Sequence, residues 1–185
     1  MKIALYLGSF NPFHNGHLEV IKTALEDFKM DKVVIVPTMQ NPWKKEKVLD
    51  IDKRIDIIRD SILYYILEAV DTICHISISQ IEKNLTPPYY SYATLHALKN
   101  KYCNDEIFVL CGEDTIKDIP NWMNGEQIIK DYDFLIVDRP KYSISSTQIR
   151  DMIKTMHKMD AHYSDDKLAE LVNPSVINLI KEYYG

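Results

Sequence analysis

The chain has 185 residues, 46% of them hydrophobic and 26% charged, a composition that suits one globular domain with room for a small helical appendix. A net charge of −5 excludes the broad basic face of a nucleic-acid binder, so any polyanion contact should be small and local. Cys74, Cys103 and Cys111 show no metal or disulfide-framework spacing, no run reaches membrane-spanning length and no leader-like pattern is seen, which predicts a reducing, cytoplasmic setting.

The chain opens with an apolar run, Ile3 to Leu7, followed by Gly8-Ser9-Phe10-Asn11-Pro12-Phe13-His14-Asn15-Gly16-His17. An amphipathic run comes next, with Leu18, Ile21, Leu25 and Phe28 on one helical face. This reads as a strand, a tight loop and a helix whose first turn carries histidines. Gly8 permits a turn or a close ligand approach, Pro12 fixes the loop, and Gly16 leaves room beside the helix start. The helix N-terminus offers unpaired N–H groups and a positive dipole end, which suits a phosphate. His14 and His17 stand three residues apart and can face the same anion. The bland alternative is a turn with surface histidines; the length and mixed chemistry of the segment favour the anion site.

Lys32 to Val36 reads as a buried strand, completing a βαβ unit with a right-handed crossover. The polar loop after it, Thr38 to Asp50, lies where open α/β sheets carry ligands. Its Lys44, Lys45 and Lys47 form either a solvated basic loop or a phosphate clamp. A long helix begins at Asp52, with Ile55, Ile58, Ile62 and Ile66 on one face and Asp52, Arg54 and Arg59 as solvated or rim charges. Thr72 to Ser79 is the third strand, with His75 a structural histidine. Glu82 to Pro88 is a loop, and a helix runs from about Ser91 to Lys101. Tyr89, Tyr90 and Tyr92 crowd its start, either as packing or as a seat for a planar ring.

Glu106 to Cys111 is the fourth strand, ending in Gly112-Glu113-Asp114-Thr115, where acidic residues open a helix with favourable polarity. Trp122, in the turn-rich Pro120-Asn121-Trp122, is either half-buried packing or a stacking platform. Tyr132 to Val137 is the fifth strand and leads to Asp138-Arg139-Pro140. Ile144-Ser145-Ser146-Thr147-Gln148-Ile149-Arg150 then enters a helix with Ile149, Met152, Ile153 and Met156 as its apolar stripe. Ser145 or Ser146 caps it. Side chains tilt toward a helix N-terminus, so Arg150 can reach back to the first anion site. His157 to Asp166 reads as a polar linker with surface histidines His157 and His162. Asn173-Pro174 opens a last helix through Tyr183.

Five strands alternating with helices predict a single α/β domain over residues 1–185: a Rossmann-like, doubly wound parallel sheet of about five strands, with a C-terminal helical part over about 146–185. There is no GxxxxGK[ST] segment and no HRD-type loop, which excludes P-loop and protein kinases. Two phosphate-gripping helix starts without an evident nucleophile point instead to nucleotidyl transfer, where positioning and charge stabilisation supply the catalysis. In such a reaction a nucleophilic phosphate would attack the α-phosphate of ATP, and pyrophosphate would leave. His14 and His17 would stabilise charge at the α/β-phosphates, and Ser146, Thr147 and Arg150 would hold the departing pyrophosphate. Mg2+ would be carried by ATP, with no protein metal site.

The first loop is similar to the GxFxPxHxGH signature of the nucleotidyltransferase superfamily that shares HxGH with class I aminoacyl-tRNA synthetases. The whole chain resembles the bacterial nicotinate mononucleotide adenylyltransferases. Besides the first loop and Ile144–Arg150, Pro88 to Leu95 is similar to that family's PSYTxxTL, Gly112-Glu113-Asp114 with Trp122 matches its GxD and tryptophan, and Leu171 to Val176 is similar to its closing helix. The resemblance implies transfer of AMP from ATP to nicotinate mononucleotide, giving deamido-NAD and pyrophosphate, with His14, His17 and Arg150 catalytic. It implies ATP binding by Gly8, Ser9, Phe10, His14, Gly16, His17, Gly112, Asp114, Ile144, Ser145, Ser146, Thr147 and Arg150. It implies mononucleotide binding by Asn11, Lys44, Thr86, Tyr90, Trp122 and Arg139, with Trp122 stacked on the pyridine ring. Trp43 stands where the family often has the histidine of PPHK, and Tyr89 where PSYT has serine. The rivals are adenylyl transfer to nicotinamide mononucleotide or phosphopantetheine, and a nucleotide-binding regulatory module without turnover. Nucleic acid and membrane are not expected partners, and the oligomeric state stays open.

Overall fold

The computed structural model describes residues 1–40, 48–68, 75–138, 144–156 and 161–185. Five apolar runs form the strands β1 (Lys2–Gly8), β2 (Lys32–Pro37), β3 (Ile76–Ile78), β4 (Glu106–Gly112) and β5 (Asp133–Val137). The helices are α1 (Asn15–Glu26), α2 (Ile51–Glu68), α3 (Ser91–Lys101), α4 (Glu113–Asp118), α5 (Gly125–Asp131), α6 (Ser146–Met156), α7 (Ala161–Leu171) and α8 (Ile177–Tyr184). All strand pairs are parallel, in the order β3-β2-β1-β4-β5. This is the Rossmann-like, doubly wound sheet that the alternation of strands and helices predicts.

The chain divides into two compact units. The first comprises Met1–Ser9, Val20–Val48 and Cys74–Arg139 and contains the whole sheet. From β1 the chain moves outward through β2 and β3, then returns to place β4 on the other side of β1. Right-handed crossovers in opposite directions put helices on opposite faces. On one face Ile3, Leu5, Val34, Val36 and Val109 cluster with Leu95 and Leu98 of α3 and Ile128 of α5. The alternate residues Ala4, Tyr6, Val33, Ile35 and Leu110 are buried as well, as in a sheet covered on both sides.

The second unit comprises Phe10–Glu19, Leu49–Ile73 and Pro140–Gly185. Its apolar content comes from Ile51, Ile55, Ile57, Ile58 and Ile62 of α2, Ile149, Ile153 and Met156 of α6, Leu168 of α7 and Ile180 of α8.

Three expectations need correction. α1 ends at Glu26, and Lys29 adopts φ 52°, so Phe28 leaves the helical face and is exposed while Met30 is buried. The supposed polar linker is helical from Ala161 onward, as α7; its Asp165 pairs with Lys181 of α8, and Leu168 is fully buried. Arg54, read as a solvated charge, is only 1% exposed. Asp52 and Arg59 are exposed as expected, and Arg59 pairs with Asp56 at 2.7 Å.

Candidate active site

Within the second unit the loop before α1 is built around aromatic rings. Phe10 adopts φ 45°, a left-handed conformation uncommon for a side chain of this size, and its ring is 2% exposed. His17 lies among three rings. Its centroid is 3.7 Å from that of His14 and 5.3 Å from that of Phe13, both stacked, and 5.0 Å from that of Phe10, edge-on. The His14 backbone N–H donates to Nδ1 of His17 at 3.2 Å. A ring nitrogen that accepts carries no proton, so neutral His17 holds its proton on Nε2.

Gly16 has a steric reason to be glycine. A Cβ there would lie 3.1 Å from Nδ1 and 3.2 Å from Cε1 of His14, tighter than such contacts normally run. The His17 N–H bonds the His14 carbonyl at 2.9 Å, so the amides before it, at Asn15 and Gly16, precede the intrahelical bonding of α1.

The start of α6 belongs to the same unit. Ser145 is its N-cap, accepting the Gln148 N–H at 3.1 Å, whereas the Ser146 hydroxyl donates to the Pro12 carbonyl at 2.8 Å. Arg150 does reach back to the first loop. Its Nη1 donates to the Asn11 carbonyl at 2.6 Å and its Nη2 to the Thr147 hydroxyl at 3.2 Å. Ile144, just before the cap, is buried. Asn11 is also a junction through its side chain, whose Oδ1 accepts the Leu49 N–H at 3.2 Å and the Tyr184 hydroxyl at 2.7 Å. Arg54 Nε donates to the Leu49 carbonyl at 2.7 Å. Burial pushes the Tyr184 phenol well above its ordinary range, against the opposing pull of the Arg54 and Arg150 charges.

Sequence reasoning missed Arg54 and Tyr184. A signal existed for Arg54, which sits four residues before Ile58 and eight before Ile62, on the buried stripe of α2. Arginine is rarely buried without partners, so a charge at that position marks a polar junction. Tyr184 carries no comparable sign.

The first unit holds the remaining described candidates. Gly8 and Gly112 each lie two residues beyond the paired Tyr6 and Leu110, at the carboxyl ends of neighbouring strands. Strand order reverses there, the place where open α/β sheets bind ligands. Ser9 follows Gly8, and Asp114 is exposed in the first turn of α4. Tyr90, half-buried, precedes α3, and its carbonyl accepts the Ala93 and Thr94 amides; Thr86 is exposed. Trp122 is half-buried against the apolar cluster and donates from Nε1 to Asp118 at 3.0 Å. Sequence reasoning also missed Glu82, which is 1% exposed and accepts the Thr94 hydroxyl at 2.7 Å and the Met39 N–H at 2.6 Å. Lys44 and Arg139 lie outside the described residues, as do Trp43, Lys45, Lys47, Cys74 and His157.

Histidines, an arginine, a threonine hydroxyl and early helix amides make a donor set suited to phosphate oxygens. Among the described residues, no three His, Cys, Asp or Glu side chains gather as metal ligands, and no helix is long and apolar enough to cross a membrane.

Residues 5–155 match the family model described as cytidylyltransferase-like. A Flavobacterium johnsoniae protein with the name "Probable nicotinate-nucleotide adenylyltransferase" is 33% identical over 183 residues, covering 98% of this chain and 88% of its own length. One of the same name from Aliarcobacter butzleri is 31% identical over 172 residues, covering 85% of this chain and 90% of its own. The structure of Plasmodium falciparum nicotinic acid mononucleotide adenylyltransferase complexed with NaAD superposes with a TM-score of 0.71 at 18% identity, covering 98% of this chain and 95% of its own, a likeness of fold.

Proposed function

Because this chain belongs to the cytidylyltransferase-like family, and within it to the nicotinate-nucleotide adenylyltransferases, we propose that it transfers AMP from ATP to nicotinate mononucleotide, giving deamido-NAD and pyrophosphate in NAD biosynthesis. The observation that carries the reading is the bond from Arg150 to the Asn11 carbonyl, which ties the start of α6 to the histidine loop within one unit.

A phosphate oxygen of the mononucleotide attacks the α-phosphorus of ATP. A new P–O bond forms, the bond to the bridging oxygen breaks, and pyrophosphate leaves with the electron pair. No side-chain nucleophile is required; charge must be held where it develops. Nε2–H of His17 and the ring of His14 are assigned to the α/β-phosphate oxygens. Arg150, the Thr147 hydroxyl and the first turn of α6 are assigned to the departing pyrophosphate. Ser145 and Ser146 order this turn, since the first caps Gln148 and the second bonds Pro12. Gly8, Ser9, Phe10, Gly16, Gly112, Asp114 and Ile144 complete the ATP assignment. Trp122, Tyr90, Thr86, Lys44, Arg139 and Asn11 are assigned to the mononucleotide, with Asn11 acting through its place in the loop.

The histidine and arginine donors fit phosphate rather than a cation; Mg2+ carried by ATP would supply further neutralisation of charge on the phosphate oxygens. The same reading puts the enzyme in the cytoplasm, where the free thiols of Cys103 and Cys111 stay reduced.

Pyrophosphate release with ATP and magnesium, measured in parallel with nicotinate mononucleotide, nicotinamide mononucleotide and phosphopantetheine, tests the proposal. A clear preference for the first is expected. Turnover only with another acceptor, or ATP binding without turnover, overturns it.

A further inference from the structure

We propose that Tyr184 is a positioning residue for this reaction: its hydroxyl, seated on Oδ1 of Asn11, holds the loop bearing His14 and His17 in its working geometry. The inference rests on the adenylyl-transfer reading above. Two consecutive loop residues, Asn11 and Pro12, receive four hydrogen bonds. Leu49 N–H and the Tyr184 hydroxyl reach Asn11 Oδ1, Arg150 reaches the Asn11 carbonyl and Ser146 the Pro12 carbonyl. Among these, Tyr184 at 2.7 Å supplies the shorter of the two bonds to the side chain, from a residue 173 positions away.

Asn11 lies between Phe10 and Phe13, the two rings packed on His17. A shift of Asn11 therefore moves both walls of the His17 seat, and with them the His14 N–H bond that fixes the His17 tautomer. The Asn11 carbonyl is at once the acceptor that orients Arg150, so one side chain on α8 governs both assigned charge-stabilising groups. The raised phenol stays protonated across any ordinary assay pH and remains a donor throughout. Reacting groups displaced by an ångström lose rate by about a hundredfold, so partial loosening of one anchor should cost less than that.

Tyr184→Phe tests the proposal without orphaning the acceptor, because Asn11 Oδ1 keeps the Leu49 N–H. We expect kcat to fall about tenfold, with KM for ATP and nicotinate mononucleotide within about twofold of wild type and Tm within a few degrees. Tyr183→Phe is the control, since the Tyr183 ring sits under Lys53 Nζ at 4.6 Å and a phenylalanine ring preserves that contact. The second readout is the pair of His17 ring 15N shifts without substrate. Wild type should show the Nε2–H tautomer, and Tyr184→Phe a mixture. Wild-type kcat with unchanged nitrogen shifts overturns the proposal, as does an equal loss of kcat in Tyr183→Phe. Should the wild-type protein turn over none of the acceptors, the adenylyl-transfer reading fails, and the nitrogen shifts alone decide whether Tyr184 sets the loop: moved shifts uphold it and unmoved shifts overturn it.

Discussion

The two units of this chain are held together by different physics. In the first, strand ladders and apolar side chains dominate: Ile3, Leu5, Val34 and Ile35 are completely buried. Its buried Glu82 accepts from Thr94, 12 positions away, and from Met39, 43 positions away. In the second, Asn11, His14 and Arg54 are buried, and bonds spanning 134 to 173 positions tie the histidine loop to α6 and α8. Apolar packing is non-directional and supplies stability; a hydrogen bond supplies little net free energy but fixes direction and distance. Both units have an apolar core, but in the second, long-range hydrogen bonds also fix the direction of the loop that carries the proposed charge-stabilising groups.

Substitutions can break that contrast. The largest rate effect should come from His17→Ala, lowering kcat by roughly a hundredfold or more while leaving Tm within a few degrees. A near-wild-type rate would remove the chemistry from the second unit. Two glycines sharpen the contrast. A Cβ at Gly125, in the first unit, would stand 1.9 Å from the Ile119 carbonyl oxygen, and backbone cannot yield cheaply. Gly125→Ala should therefore cost about 3 kcal/mol in denaturant unfolding while residual folded enzyme keeps its kcat. Gly16→Ala should do the opposite, displacing the His14 ring by a few tenths of an ångström, lowering kcat roughly tenfold and barely moving the unfolding midpoint. Exchange of these two outcomes would refute the contrast. The smallest effect is expected of Trp122→Ala, which should raise KM for nicotinate mononucleotide about fivefold with KM for ATP unchanged. A rise in the ATP value instead would mean the indole serves the other substrate.

The same contrast explains what can be read from the amino acids alone. β1, β2 and β4 fall where the sequence places them because largely buried parallel strands are continuous apolar runs, and β5, an edge strand with Ile136 exposed, is still spelled by the apolar run Phe134 to Val137. The histidine loop and the start of α6 stand out because the phosphate contacts proposed for them would demand particular side chains at fixed spacing. Arg54, Glu82 and Tyr184 do not stand out: each is one of many polar residues until its partner, distant in the chain, is known. α7 is hidden for a related reason. Its opening residues lack an apolar period, and it is held by Leu168 and by the Asp165–Lys181 pair, a tertiary contact that no local pattern announces. Phe28 misleads in the other direction, since its spacing continues the stripe of α1 beyond the point where the backbone has already turned.

The bonds on Asn11 also bear on the order in which a ribosome delivers this protein. Chains emerge N-terminus first, and closing a long loop costs more conformational entropy than closing a short one. β1 and β2 can pair soon after synthesis, across a single short crossover. The loop that follows β1 is made just as early, yet Arg150 and Tyr184 arrive 139 and 173 positions after Asn11. A nascent chain would thus own a sheet well before the bonds that set the histidine loop could form. A loop made early is set late.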